Sequence, residues 1–266
     1  MTAADSTERL RLLCAEVGFD LSGVAPAVVA RLRLLAQLTE TIADCERMVA
    51  RAHELLRQHQ VSDPAGAFSE SERRIVVLGT IFADIGKTGP AHADEPGQRL
   101  IVEMFAVEGV RDDQQQVSQF LHERFPRDAA ERVERFAALG LDPSMTLRQF
   151  WNQHSAWTLQ ILQDSGVPPE VIAAAATHHL VDDINPESIV GADRRFTRGF
   201  GENVAFDRAE KLIILLDKYD ALRRRGQRSH DEAIAWLGER IASNPSFSDD
   251  AELLALLADL NQLGPA

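Results

Sequence analysis

The apolar run Ile75-Val76-Val77-Leu78-Gly79-Thr80-Ile81-Phe82 leads directly into Ala83-Asp84-Ile85-Gly86-Lys87 and stops at Gly89-Pro90. A carboxylate and an ammonium three residues apart, where a buried segment meets a loop, are costly unless something pairs with them. Asp84 reads as a metal ligand and Lys87 as a phosphate contact; the simpler reading of Lys87 is an ion pair to a nearby carboxylate. Similar groups recur along the chain. His53 lies on the stripe side of a long helical pattern. His154 stands between Trp151 and Trp157, His178-His179 close the run Val171 to Ala176, and Asp217 follows Leu212 to Leu216. A single histidine on a helix is ordinarily a satisfied or exposed residue. Four helices that each set an imidazole or a carboxylate in apolar surroundings call for partners. A shared metal ion satisfies them together, and helical bundles build such sites from facing helices.

The elements that must position these groups are helical. Strand signals are nearly absent, and the β-leaning run at 75–78 reads equally well as buried helix. The 3.6-residue period predicts helices over 6–17, over about 30 residues beginning at Pro26, and over 69–85. Residues 88–98 read as a Pro- and Gly-rich loop. Further helices are expected over 100–107, 114–125, 128–139, 145–164, 170–179, 207–225, 231–242 and 249–263. The glycine-bearing stretch 181–203 reads as a long functional loop. It carries Arg194, Arg195 and Arg198, which are phosphate candidates or simply a solvated basic loop. No internal repeat is apparent.

Composition bounds the function. The chain has 266 residues, a net charge of −13, 45% apolar and 26% charged residues, as expected of a globular protein. The acidic balance makes a general nucleic-acid binder a poor expectation, whereas small anionic ligands remain compatible with a local cation. Cys14 and Cys45 are expected to be core thiols. The N-terminus has no signal-peptide pattern and no window is a membrane span, so the expected compartment is the cytoplasm.

In order and spacing these groups resemble the HD superfamily of metal-dependent phosphohydrolases, nearest its HD-GYP branch. His53 precedes Asp84 by 31 residues, Ile85-Gly86-Lys87 follows, and His154, His178-His179 and Leu216-Asp217-Lys218-Tyr219-Asp220-Ala221-Leu222 come in the expected order. The likeness spans roughly residues 45–225. The resemblance implies an all-α HD-domain helical bundle, with N-terminal helices over 1–44 packed on the core and C-terminal helices over 226–266. It also implies an inserted helical segment at about 90–145, serving as a lid or as an interface; a homodimer is a separate expectation. The implied site holds two divalent metals (Fe, Mn, Zn or Mg) on His53, Asp84, His154, His178, His179 and Asp217, with Asp84 bridging. Such metals activate a water and clamp phosphoryl oxygens. Lys87 would then hold a phosphate oxygen of a small phosphorylated or nucleotide substrate.

The chain departs from that pattern in three places. The Gly-Tyr-Pro signature does not follow His178-His179, which puts cyclic dinucleotide hydrolysis in doubt. The position four residues before His53 is Val49, which argues against a third metal. The histidine that should precede Asp84 is Ala83. The chain is then a non-catalytic member, a His→Ala replacement in an enzyme, or a site completed by another group such as His92. The expectation is a phosphohydrolase or phosphodiesterase impaired at Ala83. The alternatives are an HD-type diiron oxygenase, told apart by O₂ consumption, and a non-catalytic ligand-binding or sensor protein.

Overall fold

A computed structural model describes residues 3–182, 206–244 and 247–265 of the chain. The fold is all-α. Among the described residues it comprises α1 (Ala3–Glu16), α2 (Pro26–Leu38), α3 (Thr41–Ser62), α4 (Glu70–Phe82), α5 (Glu95–Phe105), α6 (Val117–Arg124), α7 (Ala129–Ala138), α8 (Leu147–Leu162), α9 (Pro169–Ala176), α10 (Phe206–Arg224), α11 (His230–Ser243) and α12 (Ala251–Leu263). A six-residue 3₁₀ turn, Ala83–Thr88, continues α4. None of the described helices is long and apolar enough to cross a membrane.

The centre of the bundle is α4, with α9 and α10 packed against it. Its start is a capping box: the Ser69 hydroxyl accepts from the Glu72 amide, and the Glu72 carboxylate accepts from the Ser69 amide. Every residue from Ile75 to Phe82 is buried. Close approach depends on small residues. A Cβ on Gly79 would stand 2.5 Å from Ile213 Cδ1 and 3.1 Å from Ala174 Cβ. Facing it, Ala173 to Ala176 are fully buried, so α9 presents almost bare backbone to α4.

Three sequence expectations change in detail. The stretch 88–98 is loop only as far as Asp94, whose side chain accepts from Gly97 N and starts α5, with Pro96 in its first turn. The helix from Pro26 is two helices, because Thr39 turns its hydroxyl back to Leu35 O (2.7 Å) and its backbone becomes extended. That local bond competes with the next helical turn. The helix over 170–179 ends at Ala176, where Thr177 Oγ1 bonds Ala173 O at 2.8 Å. His178 and His179 therefore sit in a turn beyond the helix.

The segment 90–145 contains α5, α6 and α7. The strands of chain before α6 and before α8 pair antiparallel. Val117 N bonds Met145 O (2.9 Å) and Leu147 N bonds Gln115 O (3.0 Å); Ser118 N bonds Pro143 O (2.9 Å) and Arg148 N bonds Asp113 O (2.8 Å). These bonds flank a single antiparallel bridge, Gln116 to Thr146, which ties the start of α6 to the start of α8.

Candidate metal centre

The 3₁₀ turn and α8 bring the first groups together. Gly86 lies against the backbone of α8, where any Cβ would stand 1.9 Å from His154 O. Thr158, one turn beyond His154, holds the turn from the same face. Its hydroxyl donates to Ala83 O (2.9 Å) and accepts from Gly86 N (3.1 Å). Asp84 is in this way fixed beside His154, and the turn after α9 delivers His178 to the same point.

Three acceptor atoms converge there. His154 Nε2 and His178 Nε2 are 3.2 Å apart, and Asp84 Oδ1 lies 4.0 and 3.9 Å from them. The partners of the rings assign their tautomers. His154 Nδ1 faces Trp151 O at 2.5 Å and His178 Nδ1 faces Ala175 O at 2.7 Å. A carbonyl only accepts, so each Nδ1 carries a proton and each Nε2 presents a lone pair. Two lone pairs at 3.2 Å beside a carboxylate oxygen repel unless a cation lies between them. A point equidistant from the three atoms is about 2.2 Å from each, close to the ordinary length of a zinc bond to nitrogen or carboxylate oxygen.

Electrostatics keep these groups in ligating form. Burial, then the neighbouring rings and Lys87, push His154 well below 6.5, and burial brings His178 down to about 4, so both are neutral at neutral pH. Burial alone would raise Asp84. The Lys87 ammonium, 2.6 Å from Oδ2, outweighs it with help from His178 and His154, and holds the carboxyl far below its usual range. The contact found for Lys87 is therefore an ion pair to Asp84.

His179 adjoins this trio. One ligand atom each from His154, His178 and His179 lie within 4.8 Å of one another, a set that can hold a metal ion. Its Nδ1 is 3.6 Å from Asp182 Oδ2 and 3.8 Å from Asp217 Oδ2. Both His179 Nδ1 and Asp217 Oδ2 are buried without a hydrogen-bond partner. An orphaned buried carboxylate oxygen such as Asp217 Oδ2, beside three convergent acceptors, fits a nearby cation.

His53 is not brought to this cluster. It is 41% exposed on α3 and its Nε2 faces Glu16 Oε1 of α1 at 3.4 Å. Toward α4, α3 presents Cys45, whose thiol contacts Thr80 O at 3.7 Å. Position 83 offers only a methyl group, and His92 does not approach it, since its Nε2 meets Leu139 O at 3.1 Å. Arg194, Arg195 and Arg198 lie outside the described residues. Cys14 and Cys45 are buried free thiols, and burial pushes Cys14 up to about 12.

No family model matches the chain, and no characterised protein or solved structure is significantly similar to it. The site therefore has to be read from its own residues. Sequence reasoning missed Thr158, Asp182 and Lys218. Each had a local signal: Thr158 follows His154 by four residues on one helix face, Asp182 follows His179 by three, and Lys218 adjoins Asp217.

Proposed function

We propose that the chain is a metal-dependent phosphohydrolase of the HD type with a contracted ligand set, built around one divalent ion on Asp84, His154, His178 and His179. The observation that carries the metal is the convergence of Asp84 Oδ1 with two imidazole nitrogens whose other nitrogens are tied to carbonyls. Three nitrogens and one oxygen suit Zn, Fe or Mn. The second metal that the sequence resemblance implies would draw on His53 and on residue 83, and neither supplies a ligand atom here.

When bound, such an ion supplies an acidified water and polarises a phosphoryl oxygen. The chain's own residues would do the rest. Asp84 places its carboxylate between the metal position and Lys87. Lys87 Nζ spends one contact on Asp84 and keeps further N–H bonds for a phosphate oxygen as a point charge. Asp217 would offer its unpartnered buried oxygen as a hydrogen-bond acceptor for a water.

A second reading, a ligand-binding protein without turnover, is favoured by the alanine at position 83. The two readings separate by experiment. Metal content after anaerobic loading with Zn, Mn or Fe(II) should approach one ion per chain and fall sharply in His154→Ala and His178→Ala. Loaded protein should then cleave some member of a phosphoester panel, and Ala83→His should raise both metal content and rate. No bound metal in the parent chain would refute the metal centre. Metal without turnover in either chain would favour the binding protein.

A further inference from the structure

We propose that Asp182, held by Lys218, is a positioning residue for His179. The proposal rests on the metal centre above but names a group outside its ligand set. Of the three clustered imidazoles, two have Nδ1 anchored by the carbonyl three residues upstream, Trp151 O for His154 and Ala175 O for His178. His179 has no such bond. The oxygens before its Nδ1 belong to Asp182 at 3.6 Å and Asp217 at 3.8 Å, in electrostatic contact rather than hydrogen-bonded. Both are acceptors, so they favour a proton on Nδ1 and leave Nε2 as the ligand atom.

Asp182 is the better fixed of the two. Its Oδ2 receives Lys218 Nζ at 2.7 Å, whereas Asp217 Oδ2 has no hydrogen-bond partner. Lys218 in turn lies over the Trp236 ring, 4.9 Å from its centroid, where the ring face attracts an ammonium. Arg240 Nε donates to Val181 O at 3.1 Å, and Asp182 N bonds His179 O at 2.9 Å, so the turn that carries the carboxylate is tied at both ends. Trp236 and Arg240 belong to α11, beyond the 45–225 segment. α11 thus reaches the metal centre through Lys218 and the turn that carries Asp182, without supplying a ligand.

The test reads the tautomer of His179 directly. In metal-free, ¹⁵N-labelled protein, long-range ¹H–¹⁵N spectra should show His179 protonated at Nδ1. Asp182→Leu should move it toward the Nε2-protonated form and weaken zinc affinity, measured against a chromophoric chelator, by about 10- to 100-fold. Asp182→Asn, which keeps an acceptor before Nδ1, should restore both. If Asp182→Leu does not fold, Asp182→Ala gives the same readout. An unchanged His179 tautomer in the folded variant overturns the proposal. If the parent chain binds no zinc, the metal centre fails, and the tautomer still decides the role of Asp182.

Discussion

Gly86 and His154 are in backbone contact: a single added methyl on Gly86 would lie 1.9 Å from the His154 carbonyl oxygen and 2.7 Å from Thr158 Oγ1. This sets the depth to which the 3₁₀ turn sinks onto α8, and hence the separation of Asp84 from His154. The obstruction is backbone, which cannot rotate aside. Gly86→Ala should cost more than about 2 kcal/mol by overpacking and should also weaken metal binding. Urea unfolding and zinc titration measure the two effects, and a stable variant with parental affinity would show that the contact does not set the site.

Thr158 secures the same turn by hydrogen bonds. Replacing it with Val removes the donor to Ala83 O and the acceptor for Gly86 N while keeping the side-chain volume. Two buried backbone groups lose their partner, at a cost of about 1–3 kcal/mol. Thr158→Ser retains the hydroxyl and should recover most of the stability and of the zinc affinity. Equal stability of the Val and Ser variants would argue that the bonds do not matter.

His178 makes the metal-free protein sensitive to acid. Its folded value, about 4, lies below the ordinary 6.5, so the unfolded chain takes up a proton that the folded ring refuses. Stability is therefore intact above pH 6.5 and is lost as pH falls toward 4, by about 3 kcal/mol at the full shift. His154 is shifted the same way and adds to the loss. Unfolding midpoints in chelator between pH 7 and pH 4 should fall less steeply for His178→Gln than for the parent, and parallel curves would count against the buried neutral ring.

Arg31 is a buried cation whose acceptors are all neutral. Its guanidinium donates to Thr88 Oγ1 (2.8 Å) and to the carbonyls of Thr88, Gly89, Pro90, Ala91 and Ala93 at 2.9–3.3 Å. Burial brings its value down to about 10. The planar fork closes the loop between the 3₁₀ turn and α5. Lysine has one point of attachment and cannot replace it. Arg31→Lys and Arg31→Met should each destabilise by about 3 kcal/mol, and faster amide exchange at residues 88–93 should accompany the loss. Parental exchange rates there would rule out the loop-closing role.

The all-α fold was legible because nearly every helix carries its own period and many carry their own caps. Ser69 with Glu72, Thr146 with Gln149 and Ser229 with Glu232 are boxes readable from sequence. The ligand-type residues that the structure gathers stood out because each interrupts an apolar run. His53 was drawn in by its distance along the chain from Asp84, yet position along a helix also fixes direction. Its buried neighbours Val49, Ala52, Leu55 and Leu56 define the inward face of α3, and His53 lies at its edge. Arg31 was unreadable for the opposite reason. It sits on the buried face with Val28, Leu32 and Leu35, where an arginine looks like an interruption until its six oxygen partners are known. Asp182 had its three-residue spacing from His179 as a signal, but that spacing does not specify the turn that brings the two together.

The bridge between Gln116 and Thr146 places the 90–145 segment at the foot of the helix that carries His154. Arg148, in the first turn of α8, donates to Asp113 Oδ2 from Nε at 2.9 Å and from Nη2 at 2.5 Å. A segment remote from the cluster in sequence therefore fixes where α8 begins, and a displacement there is carried along one rigid helix to His154.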